Sequence, residues 1–430
     1  MSAADFFNFF HLNLYIYLIY ACLMDDTFTW ERGPFEKCPR CLGQTFGLLG
    51  AGRDLITLRC TKCRYSYNEV LPKVDKACIY LDQFMFSTIF KIKAGGQAPP
   101  GHRDFYEELI PLLRRVVLLQ QAILPHSDLH SNETIVFHDP RGLRDAYEDI
   151  GGDASLHNSD EIEMHQVLAF ARAFRDGGEP LLTFTPDAIL HGSRNGWLPD
   201  MRVSVNTDYS QFADGIRRSR DEGFAALKEL VAAWTKEKPP FREILRRESQ
   251  FGQHRRMALL SVIQRMVNIG TDGDSIGMIN ATLAPVWREF RMLYKFLGQG
   301  ASEDVAMLRV STFWDWPRLH EMPFNRIFAY LFAAFGRRVT MGQRKFTRGL
   351  MTDFRAIAAY APYVDAMFVD RECALLLGEG ELHRDLHYRA RIYSYANKEE
   401  FLAYLRELEA RATGEVRGYA GRIYGITSPP

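Results

Sequence analysis

An excess of charge of either sign is missing from this 430-residue chain: Lys+Arg 53 stand against Asp+Glu 53. That balance argues neither for nor against a nucleic-acid partner, since a neutral protein can still carry a local basic stripe. Glycine-rich phosphate loops of the P-loop or dinucleotide type are absent too, so nucleotide-driven chemistry is not expected. There is no internal repeat. Only seven cysteines are present, four in two close pairs and three single. Such usage is no disulfide framework and fits a reducing compartment, so a cytoplasmic location is expected. A composition of 47% hydrophobic and 25% charged residues is ordinary for a soluble globular protein, and the length suits two or three domains.

Residues 1–33 read as an apolar extension. Phe6 to Leu23 is nearly continuous apolar sequence, long enough to span a membrane. Asn8, His11 and Asn13 interrupt it, and no Lys or Arg precedes it as an anchor or signal peptide would want. Three readings stay open: a native start at Met24, a helix touching lipid through residues 6–23, or a core helix. The first is preferred, and membrane contact is not the expectation.

Residues 34–72 carry Cys38-Pro39-Arg40-Cys41 and Cys60-Thr61-Lys62-Cys63. Two such turns supply four thiolates for tetrahedral zinc, and Leu55–Arg59 reads as the strand leading into the second. Four thiolates close the coordination shell, so a structural zinc ribbon is expected, with no chemistry at the metal. Redox activity is the alternative for the two pairs.

Beyond the ribbon, Cys78–Leu81 is a short apolar run ending in Asp82, followed by helical pattern over Phe84–Lys93 and Phe105–Gln121. Ala122–Leu124 is a second brief strand. Near the other terminus, Tyr363–Asp370 is an apolar run with Asp365 near its start and Asp370 at its end; Arg389–Tyr395 reads as strand and Lys398–Arg411 as helix. Buried parallel strands look like this, and open α/β sheets bind ligands at their carboxyl edge. Between lie mainly helical periodicities over Ile162–Arg175, Phe212–Lys236, Phe241–Asn268 and Ile279–Leu297. The expected class is α/β: a doubly wound parallel sheet made by residues 76–148 and 348–430, with a helical insertion over 149–347. Arg242, Arg246, Arg247, His254, Arg255 and Arg256 nearly line one side of a helix. They form either a solvated face offset by Glu243 and Glu248 or a phosphate-backbone track.

Clustered Asp and Glu suit hard divalent cations, which can activate water and stabilise a displaced oxygen in phosphodiester hydrolysis. The order Asp82, Glu133, Asp353, Asp370 resembles that of the PIN-domain nucleases, over Lys76–Glu148 and Arg348–Arg411. That resemblance implies a small doubly wound fold in which these four positions hold one or two Mg²⁺ or Mn²⁺ ions and cleave RNA, or less expectedly DNA. Asp365 is an extra carboxylate that either replaces or supports Asp353. His130, in step with Ser127 and Glu133 on one helix face, is either a general acid or phosphate-orienting group or a buried hydrogen-bonded histidine. The ribbon and the long insertion depart from ordinary members. The implied activity is a nuclease, of a kind used by toxins and phage-defence effectors, with a regulatory protein partner conceivable. The rival is a non-catalytic ribbon module gripping nucleic acid or protein on a degenerate scaffold.

Overall fold

In the computed structural model, residues 30–152, 154–200, 210–272, 282, 284–343 and 346–426 are described. The apolar stretch 6–23 lies outside them. Among the described residues no helix is long and apolar enough to cross a membrane.

The chain divides into two units. The first holds Met1–Lys73, Trp197–Val203 and Gly414–Pro430. Its sheet is antiparallel in the order β1 (Arg32–Lys37), β2 (Gln44–Ala51), β3 (Leu55–Cys60), β4 (Ser66–Val70). Alternation along β3 buries Ile56, Leu58 and Cys60 and leaves Leu55 exposed, the period of a half-buried strand. Each CxxC turn ends on a residue in left-handed backbone, Leu42 at φ 60° and Arg64 at φ 58°. The ribbon expected over 34–72 is larger than its cysteines suggest. The Trp197 indole donates to the Pro72 carbonyl at 2.8 Å, and the Ala51 N–H donates to Asp200 at 2.9 Å. Arg422, in the helix Gly414–Tyr424, lies 3.3 Å from both Glu36 and Glu69.

The second unit holds Val74–Gly196 and Ser204–Thr413. It has a four-stranded sheet, all parallel, built from β5 (Ala77–Leu81), β6 (Ala122–Ile123), β9 (Ala366–Phe368) and β10 (Arg391–Tyr393), in the order β10-β9-β5-β6. A separate two-stranded ribbon pairs β7 (Ser155–Leu156) with β8 (Leu190–His191). The sheet thus draws on both ends of the chain, as expected. From β5 the chain runs to β6 on one side and later returns to β9 on the other. The order therefore reverses between β5 and β9, where open α/β sheets form a crevice. The run Tyr363–Asp370 is strand only at its middle three residues, because the Leu350–Tyr360 helix leads into a turn through Pro362.

The helical segment is not an independent body. Trp234, Ile244, Leu331 and Phe335 share one buried core with Tyr80, Met367 and Val369 of the sheet. Burying a side chain such as Phe335 stabilises by roughly 2–3 kcal/mol, so helices and sheet hold each other in place. A second core joins Val167, Phe170, Leu293, Phe313 and Trp314. The helix expected over Phe241–Asn268 is two, Phe241–Glu248 and Phe251–Asp272. Gly252, the second residue of the latter, packs so closely that a Cβ there would lie 1.7 Å from the Trp314 carbonyl oxygen.

The split and the packing dissolve the basic stripe. Arg246 and Arg247 pair with Glu243 at 2.9 and 2.8 Å, and Arg256 pairs with Asp315. Arg255 turns inward between Glu163 and Glu289. Four of the six basic residues thus face carboxylates of their own protein, as the solvated-face reading has it.

Candidate functional site

Asp82 follows β5 directly and is the residue before the helix Gln83–Lys93. Its N–H donates to the Phe368 carbonyl of β9 at 3.0 Å, which sets it at the carboxyl edge of two adjacent strands. Asp370 follows β9 and caps the helix Arg371–Leu377, accepting from the Cys373 N–H at 2.6 Å. Glu133 comes from the helix Asp128–Ile135 after β6, and Asp353 from the first turn of Leu350–Tyr360. Asp82, Glu133 and Asp353 line one cleft together with Tyr80, Gln83, His130 and Thr352. Side-chain atoms of Asp353, Asp370 and Cys373 lie within 4.8 Å of one another.

The electrostatics agree with this convergence. Loss of solvent, then Glu133 and Asp370, push Asp82 up to about 8. Asp353 is raised well above the carboxylate range by burial, Asp82, Asp370 and Glu133. Burial also raises Glu133, opposed by the Arg220 guanidinium 3.6 Å away. Like charges in a poorly solvated cleft disfavour ionisation until a cation enters. All four carboxylates offer the hard oxygen donors that Mg²⁺ and Mn²⁺ accept. The Cys373 thiol beside them is raised well above its ordinary value by burial and then by Asp370 and Asp353.

Asp365 does not join the group. It sits at the opposite end of β9, where its carboxylate accepts the Cys78 N–H at 2.8 Å and the Arg389 Nε at 2.9 Å. Of the two alternatives for the third acid, the fold brings Asp353 to the cleft and makes Asp365 a brace between strands. His130 likewise departs from the catalytic expectation. Its Nδ1 accepts the Ser127 N–H at 3.1 Å, while its own N–H donates to Ser127 Oγ. The ring stacks on Tyr80 at 4.8 Å. Burial, with help from His126, pushes its pKa down to about 3. This is the arrangement of the buried, hydrogen-bonded histidine, capping the helix that carries Glu133.

Two members of the site had no signal in the sequence. Arg220 lies in the helix Ser210–Glu237 and reaches the cleft only through helix packing. Cys373 looks like any buried cysteine until its neighbours are placed.

In the other unit Cys38, Cys41, Cys60 and Cys63 lie together, each offering sulfur within 4.8 Å of the rest. Cys38 and Cys63 sulfurs are 3.6 Å apart, as are those of Cys41 and Cys60. A tetrahedron with metal–sulfur bonds of about 2.3 Å has edges of about 3.8 Å, so the set has the size of a tetrahedral site. Against the effect of burial, the Cys63 backbone and the Thr45 hydroxyl lower Cys60 to about 6. Against the Tyr65 backbone, burial and the other thiols raise Cys63 to about 11, so the cluster divides its thiolate character unevenly before any metal arrives.

Comparison with family models, with curated proteins and with solved structures finds no match to this chain.

Proposed function

We propose that the second unit is a divalent-metal-dependent nuclease of PIN-like type, hydrolysing phosphodiester bonds in RNA in preference to DNA. One observation carries the reading: Asp82, Glu133, Asp353 and Asp370, contributed by four separate segments, gather at the carboxyl edge of β5 and β9, where burial and then the neighbouring carboxylates raise Asp82 and Asp353. Such an arrangement is unfavourable unless a cation fills it. Mg²⁺ or Mn²⁺ there would supply Lewis-acid charge and a nucleophile at neutral pH. Asp82, Glu133, Asp353 and Asp370 would hold the ion. Arg220 would balance negative charge brought by a phosphate, and the capped helix beneath Glu133 would keep that ligand oriented. We further assign structural zinc to Cys38, Cys41, Cys60 and Cys63, and cytoplasmic residence to a chain whose described cysteines are all free.

The test is cleavage of RNA and DNA substrates by the purified full chain, with Mn²⁺, with Mg²⁺ and with chelator. Asp82→Asn and Asp370→Asn should each lower the metal-dependent rate by about 100-fold or more, the scale for losing a charge-stabilising group. Their circular dichroism should match that of the parent. Retained cutting in both variants would remove the acidic cleft from the chemistry.

A further inference from the structure

The β7–β8 ribbon carries a histidine cluster distinct from the acidic cleft and from the cysteines. His157 follows β7 and His191 ends β8. Ser155 pairs with His191 and the His157 N–H donates to the Ile189 carbonyl at 2.7 Å, so the two histidines are diagonal neighbours across the ribbon. Their rings stack with centroids 4.2 Å apart. Glu161, in the first turn of the helix Ser159–Asp176, brings Oε2 to 3.7 Å from His157 Nδ1. One donor atom from each of the three lies within 4.8 Å of the others.

We propose that His157, Glu161 and His191 form a zinc site. Two imidazoles and one carboxylate are a donor set that Zn²⁺ takes readily, and hard Mg²⁺ or Ca²⁺ would not select imidazole. The donors are held before metal arrives. Glu161 Oε2 accepts the Asn158 N–H at 3.0 Å, and the Tyr360 hydroxyl donates to the His157 carbonyl at 3.3 Å. A third imidazole is close: His165, one turn beyond Glu161, has its ring 5.8 Å from His157. Glu161 and His165 also line a cleft of about 610 Å³ that holds Arg265, Arg288 and Arg355. Metal at His157 would thus stand at the rim of a partly basic cleft. Zinc here would staple the ribbon to the start of the helix.

Zinc per chain is the measurement, made on the full chain carrying Asp82→Asn and Asp370→Asn so that the acidic cleft does not contribute. After zinc loading and desalting, elemental analysis should give two zinc ions per chain. Adding His157→Ala and His191→Ala should leave one. Cobalt in place of zinc should keep its intense thiolate charge-transfer band in that variant, with only the weaker nitrogen–oxygen d–d bands lost. His191→Ala alone, at an exposed strand end, should weaken the second equivalent by more than the roughly 10–100-fold that losing an outer partner gives. One zinc in the starting chain, or two still bound after both histidines are removed, would overturn the assignment.

Discussion

The cysteine cluster and the acidic cleft are built on opposite terms. The four thiols come from two neighbouring turns of one small sheet, and their own backbone already draws Cys60 down to about 6. The four carboxylates are gathered from across the chain, and burial, then Glu133 and Asp370, push Asp82 up to about 8. In the first case metal meets a local set whose titration is already split, Cys60 lowered and Cys63 raised. In the second the apo state stores repulsion that metal relieves. The two clusters differ in this way: one is assembled locally, and the other is maintained against the cost of burying like charges.

The widest gap between the two should appear on metal removal. Structural zinc in small thiolate domains is worth about 10 kcal/mol or more of folding free energy near neutral pH. Stripping zinc, or Cys60→Ser, should therefore unfold the ribbon, with loss of amide protection across β2 and β3 in hydrogen exchange. Protection of β5 and β9 should persist. Removing acid charge should act in the reverse sense. Asp82 keeps a proton in the fold that it loses on unfolding above its ordinary value near 3.8. Its contribution to stability is thus present below about pH 4 and is lost as pH rises toward 8. His130, lowered to about 3 from 6.5, contributes stability above pH 6.5 that is lost as pH falls toward 3. The two slopes oppose each other between 3.8 and 6.5. The apo chain should accordingly lose stability most clearly from pH 6.5 to 8, where Asp82 acts alone of the pair. Asp82→Asn should flatten that limb in urea titrations, raising apo stability at pH 8 by about 1–3 kcal/mol. Mn²⁺ should restore the parent and leave the variant unchanged; an unaltered slope in Asp82→Asn would break the contrast.

His130 refines the comparison by separating support from chemistry. His130→Ala removes a helix cap and leaves a hole between Tyr80, Phe86 and Tyr147. A loss of about 2–4 kcal/mol is expected from cavity and cap together. The metal-dependent pH–rate profile should keep its shape between pH 5 and 8 once folded protein is counted. A missing acidic limb in the variant would return His130 to a catalytic role.

How much of this could be read from residues alone follows from how each group is positioned. Asp82 and Asp370 were legible because a buried strand that ends in a carboxylate declares both its direction and its edge. The cysteine pairs were legible because their spacing is local. Asp353 and Asp365 were indistinguishable, since the apolar run around Val364 conceals that only Ala366–Phe368 pairs. The turn before it decides which aspartate reaches the cleft. Arg220 was hidden because a helix face picks its neighbour only through the three-dimensional core. Arg255 was hidden for the same reason: a basic residue on a periodic helix reads as solvated until Glu163 and Glu289 are seen to enclose it. His157 and His191 were passed over because the short ribbon that joins them has only two residues in each strand.

Asp365 supplies the smallest expected effect and the sharpest cut between the two ends of one strand. Its carboxylate binds the Cys78 N–H and the Arg389 side chain, and Arg389 is 40% exposed. Asparagine keeps an oxygen for the N–H and loses only the partly screened charge. Asp365→Asn should cost no more than about 1 kcal/mol, read by chemical denaturation. Metal-dependent cleavage should stay at the parent rate, whereas Asp353→Asn should lose it. If the two variants instead exchange these outcomes, the cleft at the carboxyl edge is not where the cation works, and the contrast between a stabilising cluster and a strained one loses its second half.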